Sequence, residues 1–378
     1  KAGLIETVGS GEPRIDFKDD AKGALLLEPT RSNNYTYSED FTKSTWNKLN
    51  VNVSSNAVMS PDGTLNASKI TSNATATQGV IIYDNSIPNG NVGSEFTISC
   101  YFKASEVEWV QLFFGSGSVV GGDLYANFNI VNGTLGTVSS GLSVSTEEYS
   151  NGFYKITITA TALGTVVSPY FAAAKTGTDT RSMATNNWNV GDGFFMWGSQ
   201  FEPNSSYPTS YIPTSGSAAT RLAETCTNGG NEQVINSTEG VLYAEISALA
   251  DDGTSRRIAV TDAIGNDFFN LVSIELDESS GVVKGIVSNG TTIDILQGSL
   301  IQANTNKIAL KYNSSSISLF INGFEAESNN SPNLPSGLKE LTFDNGKTTP
   351  SSFFYGNTKD VRVYNTALTD AELQALTT

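Results

Sequence analysis

Three acidic side chains stand close together in the segment SIELDESSG, at Glu275, Asp277 and Glu278. Alternate residues of a β-strand share one face, and two carboxyl groups about 5 to 5.5 Å apart can cleave a glycosidic bond with retention. The acid series Glu-x-Asp-x-x-Glu would need one more carboxylate, but two serines and a glycine follow Glu278. We therefore interpret the cluster as a solvated strand end and assign no catalytic residue to it.

The chain contains no histidine. Histidine is the usual acid or base near neutral pH, the commonest zinc ligand and a member of every Ser-His-Asp and Cys-His arrangement. Its absence removes these chemistries. Together with the incomplete acid series, it predicts that the chain is not an enzyme.

The two cysteines are too few for a disulfide framework. In the segment FTISCYFKA, the residues Phe96, Ile98, Cys100 and Phe102 alternate onto one face of a strand. This pattern predicts a buried free thiol at Cys100, and a disulfide to Cys226 is the alternative.

Aromatic side chains among polar neighbours are better candidates for a functional site than the acid cluster, and the function they suit is ligand binding. The apolar face of a sugar ring stacks on Trp or Tyr, while its hydroxyls bond to polar side chains. Trp188 lies beside Asn187 in the polar loop RSMATNNWNVGDG, where it either anchors the loop or faces a ligand. The same alternatives hold for Trp109 at a strand start, and Tyr125 with Asp123 is a third candidate.

Trp46 and Trp197 lie inside strand-like motifs and are predicted to be core residues.

Calcium prefers six to eight oxygen ligands, and several aspartates in turn-like segments could supply some of them. No Asp-rich calcium motif is present, so each of these aspartates is expected first to form a turn. Binding of Ca²⁺ stays an open possibility, and no other cofactor is expected. These aspartates are Asp40, Asp192, Asp262, Asp267 and Asp344.

The net charge of the chain is −16. Nucleic acids and anionic membrane surfaces attract stripes of Lys and Arg, so they are excluded as partners, and a neutral glycan is favoured over a sulfated or uronic one. The apolar runs, such as GVIIY, are far shorter than the ~20 residues of a membrane-spanning helix. We expect no membrane insertion.

Period-2 patterns recur along nearly the whole chain, separated by Ser, Thr, Asn and Gly turns. This spacing predicts an all-β protein made of two β-sandwich, jelly-roll domains. One short helix is expected over residues 366–377, where Thr369 and Glu372 can form a capping box and Leu368 can pack on Leu373.

A change in composition marks a domain boundary. Pro-containing extended sequence gives way to Gly- and Asn-rich polar sequence before strand patterning restarts at Val241. At roughly 100 to 200 residues per domain, the chain length fits two domains. We predict an N-terminal extension over residues 1–23, a first domain over 24–222, a linker over 223–235 and a second domain over 236–378.

The first domain contains the segments GALLLEPTRSNNYTYSEDFTKSTWNK, SPDGTLNASKITSN, FTISCYFKA, NGFYKITITATA and FFMWGSQFEPNSSYPTSYIPTSGSAATRLAE. In order and rough spacing they resemble the carbohydrate-binding-module-like jelly roll of bacteriophage tail and head fibre proteins and of some bacterial surface proteins. The resemblance implies a fibre or virion-decoration component. No coiled-coil heptads support a trimer, so homo-oligomerisation stays open.

The second domain contains SLFINGFE, a strand–turn–strand segment, and FFYGNTKDVRVYNTALTDAELQAL, whose pattern predicts closing strands and a short helix. In these segments it resembles the laminin-G-like, concanavalin-A-like sandwich. Domains of this fold bind glycans or proteins, sometimes with calcium, but the fold alone assigns no function.

Taken together, these features predict a non-catalytic carbohydrate-binding protein at a virion surface or outside a cell. Its expected partners are a cell-surface polysaccharide or glycan and other virion proteins. Two alternatives stay open. One is a glycanase or polysaccharide depolymerase on the concanavalin-like domain, and the other is a pair of purely structural virion domains.

Overall fold

The computed structural model describes residues 4–9, 11–18, 20–73, 79–181, 187–262, 270–301, 304–347 and 349–378. Its strands pair antiparallel throughout these ranges, which confirms the all-β prediction. In chain order they are β1 Ile15–Asp16, β2 Ala24–Leu27, β3 Arg31–Asn33, β4 Trp46–Leu49, β5 Val51–Met59, β6 Leu65–Ser72, β7 Ile81–Asp84, β8 Ile87–Pro88, β9 Glu95–Ala104, β10 Trp109–Phe114, β11 Tyr125–Asn129, β12 Leu135–Val138, β13 Ser143–Tyr149, β14 Phe153–Thr161, β15 Val166–Val167, β16 Pro169–Ala174, β17 Gly193–Pro203, β18 Ala219–Arg221, β19 Gly240–Ala248, β20 Ser255–Thr261, β21 Asn270–Asp277, β22 Val282–Asn289, β23 Ile293–Ser299, β24 Asn306–Tyr312, β25 Ile317–Ile321, β26 Phe324–Asn329, β27 Glu340–Thr342 and β28 Gly356–Tyr364.

The chain divides into two compact units. The first unit comprises residues 1–7 and 30–222, and the second comprises residues 8–29 and 223–378. No helix in the described ranges is long and apolar enough to cross a membrane.

The first unit is a sandwich of two six-stranded sheets. Sheet I has the order β12-β11-β10-β16-β7-β4, and sheet II has the order β13-β14-β9-β17-β6-β5. Side chains from both sheets meet in one hydrophobic core, as expected for a sandwich. Representative members are Ile82, Leu112, Phe128 and Phe171 from sheet I, and Phe96, Ile98, Ile156 and Phe201 from sheet II.

Strand β9 shows how period-2 patterning determines this core. Phe96, Ile98, Cys100 and Phe102 all face the core and are at most 1% exposed. Cys100 is a free thiol, as predicted, and burial raises its pKa to about 12. Cys226 is also free and belongs to the second unit.

The second unit is a sandwich of a seven-stranded sheet III and a five-stranded sheet IV. Sheet III has the order β1-β2-β28-β19-β24-β25-β26, and sheet IV has the order β23-β22-β21-β20-β27. The predicted turn in SLFINGFE joins β25 to β26 through Asn322 and Gly323, whose φ angles of 48° and 88° match a two-residue hairpin loop.

Helix α1, Asp370–Thr377, closes the second unit within the predicted range. The Thr369 side chain accepts a hydrogen bond from the Glu372 backbone, and the Glu372 side chain accepts one from the Thr369 backbone, so the capping box is present. Leu373 and Leu368 pack in the same cluster against the outer face of sheet III.

Three of the predicted domain limits differ from the structure. Residues 1–23 were predicted to be an extension, but residues 1–7 belong to the first unit and residues 8–23 to the second, where β1 pairs with β2. Residues 24–29 were assigned to the first domain, yet β2 pairs with β28 and extends sheet III. Residues 223–235 were expected to be a linker, but Ile235 is buried in the second core and Gly229 bridges to Leu341. The end of the first unit at Leu222 coincides with the predicted boundary.

Candidate functional site

The outer face of sheet II is covered by the protein's own chain. Ile212 donates its backbone N–H to the Gln200 side chain at 2.6 Å, and the Gln200 amide donates to the Ser210 carbonyl at 3.3 Å. Tyr211 packs against the buried ring of Trp197. This central part of the outer face of sheet II therefore belongs to the interior of the first unit, whereas most residues of the edge strand β5 are exposed.

The outer face of sheet I carries a row of cross-strand neighbours. From β11 to β4 the register brings together Tyr125, Phe113, Tyr170, Tyr83 and Asn47. The three tyrosines and Asn47 are half-buried, whereas Phe113 is 4% exposed. We call these five residues the aromatic row.

The rings in the middle of the aromatic row stack on one another. The centroids of Tyr83 and Tyr170 lie 4.3 Å apart, and those of Tyr170 and Phe113 lie 4.8 Å apart, each with an interplanar angle of 16°. Offset stacks of this kind stabilise the arrangement beyond the buried area alone. The stack leaves no room for another ring between its members.

Arg181 lies at one end of this stack. Its guanidinium carbon is 5.1 Å from the centroid of Phe113, and its Nη2 atom is 3.4 Å from the Asp123 Oδ1 atom. The guanidinium also donates to the Phe114 carbonyl oxygen. The predicted residue Asp123 therefore contributes a carboxylate that balances the charge of Arg181.

Residues 175–181, the covering segment, lie over the neighbouring part of the same face. The Asn127 amide donates to the carbonyls of Gly177 and Asp179 at 3.1 and 2.8 Å, and the Gln111 amide donates to the Thr180 carbonyl at 3.2 Å. Gly177 approaches Trp109 so closely that a Cβ atom on it would lie 2.5 Å from the ring. The covering segment therefore leaves the aromatic row as the accessible part of the face.

The structure brings three of the predicted residues to this face. Trp109 and Tyr125 belong to the same outer cluster as Tyr83 and Tyr170, and Asp123 precedes Tyr125. Trp109 is half-buried, with Gly177 directly against its ring.

Trp188 does not join this face. Its side chain is 3% exposed and belongs to the hydrophobic core between the sheets, and the Lys175 ammonium lies 3.7 Å from its ring centroid. This placement corresponds to the alternative in which Trp188 anchors its loop, because a buried ring presents no face to a sugar. Asn187 is exposed next to it.

The sequence analysis did not identify five residues of this face: Asn47, Tyr83, Phe113, Tyr170 and Arg181. A signal existed, because aromatic residues recur in three different strand segments. Their register across strands was needed to recognise that they form one row. Trp46 and Trp197 are buried as predicted, at 2% and 1% exposure.

The acid cluster of the second unit is buried and is not the solvated strand end that the sequence predicts, since Glu275, Asp277 and Glu278 are 5%, 6% and 4% exposed. Cations pair with two of its members, Glu275 and Asp277. Arg257 donates from Nε to Glu275 at 2.8 Å, and Lys284 lies 3.6 Å from Glu275 and 2.5 Å from Asp277. The hydrogen bond from Lys284 is the largest cause that holds the pKa of Asp277 well below its usual range. Glycan hydrolysis needs one carboxyl group that stays protonated, and the contact with Lys284 opposes protonation of Asp277.

The described ranges contain no group of three or more Asp, Glu, Cys or His side chains arranged to hold a metal ion. Asp262 accepts hydrogen bonds from Asn270, and Asp344 accepts one from the Gly346 backbone, so both act as turn formers. Asp40 and Asp192 bond in the same way to Thr42 and Asn189. Asp267 lies outside the described residues.

Comparisons with solved structures found weak likenesses. The CBM40 domain of Ruminococcus gnavus IT-sialidase is 17% identical with a TM-score of 0.34, over 38% of this chain and 84% of that chain. A structure of that domain bound to α2,3-sialyllactose is 17% identical with a TM-score of 0.35, over 41% and 97%. Domains LG4-5 of the mouse laminin α1 chain are 8% identical with a TM-score of 0.27, over 79% and 91%. These values are too low to transfer a ligand or an activity.

A search of curated proteins found no significant match. Residues 242–374, about a third of the chain, match the family model described as the concanavalin A-like lectin/glucanases superfamily. That match includes all of sheet IV, five of the seven strands of sheet III and most of α1, whereas β1 and β2 of sheet III lie outside it. The second unit is a concanavalin A-like β-sandwich.

Proposed function

We propose that the chain is a non-catalytic carbohydrate-binding protein that recognises a cell-surface polysaccharide through the outer face of sheet I. The observation that carries this proposal is the aromatic row, which combines half-buried tyrosines with Asn47 and the Arg181–Asp123 pair. Sugar rings need aromatic surface with convergent polar groups, and this face supplies both.

The concanavalin-like family includes glucanases as well as lectins, so its description fits both a binder and an enzyme. The ion pairs of Glu275 and Asp277 with Arg257 and Lys284 favour the binder. The hydrogen bond from Lys284 holds the pKa of Asp277 well below its usual range, so this carboxyl group is poorly suited to be the general acid of hydrolysis.

The proposal also concerns location. We infer that the protein acts at a virion surface or outside a cell, as a fibre or decoration component in contact with other virion proteins. The resemblance of the first-domain segments to phage fibre jelly rolls supports this inference. Immunogold labelling of purified virions with an antibody against the chain tests it, and unlabelled virions would contradict the virion assignment.

Binding and catalysis are separated by two measurements on the full chain. A printed array of bacterial polysaccharides and oligosaccharides should retain the protein on at least one glycan. The same glycan incubated with the protein should release no reducing ends. Reducing-end release that is lost in Glu275→Gln would favour the glycanase alternative, and an array without any retained glycan would favour purely structural domains.

A further inference from the structure

The stacking geometry of the aromatic row limits where a sugar ring can lie. Tyr170 has a ring on each of its faces, because Tyr83 and Phe113 both stack on it. Phe113 has Tyr170 on one face, and the Arg181 guanidinium fits only against the other. These two rings therefore show their edges, and not their faces, to solvent.

Tyr83 differs from both because it ends the stack. One face of its ring lies on Tyr170, and its cross-strand neighbour on the other side is Asn47 on the edge strand β4. Within the described ranges, no ring or cation is recorded against this second face. It is directed toward a side-chain amide on a strand that ends the sheet.

The charges around Tyr83 select against acidic sugars. Lys48 follows Asn47, and its ammonium group donates hydrogen bonds to the backbone carbonyls of Thr42, Lys43 and Trp46. These three bonds use its donors within the protein. Arg181 lies at the far end of the stack and is paired with Asp123. An anionic sugar at Tyr83 would find no free cation among these residues, and the chain carries a net charge of −16.

We infer that Tyr83 is the stacking platform of the glycan site, and that it takes a neutral pyranose ring whose hydroxyls bond to Asn47. This inference rests on the proposed function and adds to it the contact residue and the substrate class. The apolar face of the sugar covers the free face of Tyr83, and the edges and hydroxyls of the inner stack border the next sugar unit.

Affinity electrophoresis of the full chain tests the inference. The native gels contain dextran, galactomannan or arabinoxylan as neutral probes, and alginate or polygalacturonate as acidic probes. We expect retardation by at least one neutral probe. Tyr83→Ala should weaken it about thirtyfold, as for the loss of a central stacking side chain. Tyr83→Phe keeps the ring face and should stay within about threefold of the wild type.

Tyr154→Ala is the matched control, because Tyr154 is also a half-buried tyrosine of the first unit but lies on β14 of sheet II, outside the aromatic row. It should keep most of the affinity, and thermal unfolding of each variant verifies that the fold is intact. If folded Tyr83→Ala keeps the retardation of the wild type, the platform assignment is wrong while the proposed function stands. If only the acidic probes retard the wild type, the neutral class is wrong. If neither the gels nor the glycan array detects binding, the proposed function fails and the inference with it.

Discussion

The contact between Gly177 and Trp109 allows one prediction to be worked out in detail. A Cβ atom at position 177 would lie 2.5 Å from Trp109 Cη2 and 2.7 Å from Cζ3. Carbon atoms prefer separations of about 3.5–4.0 Å, so Gly177→Ala forces the covering segment or the ring to move by about 1 Å. The substitution is purely steric, since the backbone at Gly177 is outside the left-handed region.

The expected loss follows from the contacts that this movement disturbs. Overpacking of this kind costs about 1–3 kcal/mol, and each displaced amide hydrogen bond from Asn127 or Gln111 contributes about 1 kcal/mol more. A shift of the covering segment relieves part of the overlap with Trp109 but weakens part of these hydrogen bonds. We therefore expect the free energy of unfolding to fall by about 2–4 kcal/mol. For a unit of this size, that lowers the melting temperature by roughly 4–16 °C.

Differential scanning calorimetry measures the effect on the transition of the first unit. Gly164→Ala is the matched control, because its Cβ would meet nothing closer than the Val166 carbonyl at 3.8 Å, and it should melt like the wild type. In a Trp109→Leu background, Gly177→Ala should cost less than about 1 kcal/mol, since the atoms that it strikes are gone. A Gly177→Ala protein that melts within a degree of the wild type, or additive losses in the double variant, would refute this account of the covering segment.

Two further predictions concern buried side chains of the first unit. Trp188→Ala should lower the free energy of unfolding by about 3–5 kcal/mol in thermal melts and leave the affinity of the folded protein for its glycan unchanged. A loss of affinity without a loss of stability would place Trp188 in the binding site. Burial raises the pKa of Asp84 to about 6, so its contribution to stability is greatest below the ordinary value of ~3.9 and falls as the pH rises to about 6. Asp84→Asn should therefore raise the free energy of unfolding by about 1 kcal/mol relative to the wild type at pH 7.5, a value reduced for partial solvent screening. At pH 4 the two proteins should be equally stable. Urea unfolding that gives the same difference at both pH values would contradict this prediction.

Period-2 patterning was sufficient to predict the core face of β9 and the strand-rich fold, because alternation along a single strand needs no partner. It could not predict that Thr97, Ser99 and Tyr101 on the opposite face are also buried. That burial depends on a later Pro-, Thr- and Ser-rich segment, whose composition resembles any exposed loop.

The candidate site was predictable only in part for a related reason. Trp109, Tyr125 and Asp123 were recognisable as aromatic and polar groups near strand ends, but the stack of Tyr83, Tyr170 and Phe113 depends on the register between strands that are distant in sequence. Trp188 lies in a polar loop, and whether such a loop turns inward depends on the space between the two sheets. The sequence carries no local signal for that choice.

The pairing of β2 with β28 has a consequence for how the protein can evolve. Residues 30–222 leave and re-enter the second unit at adjacent points, because the Glu224 backbone donates to the Glu28 carbonyl at 3.0 Å. Inside the first unit, β3 pairs with β18, so that its two ends also lie side by side, with Arg31 opposite Arg221. Residues 30–222, which form the first unit together with residues 1–7, are thus inserted between β2 and the rest of the concanavalin-like sandwich. An insertion with neighbouring ends can be exchanged for another without breaking the host sandwich, so under the proposed function recombination can change the recognised sugar and leave the second unit intact.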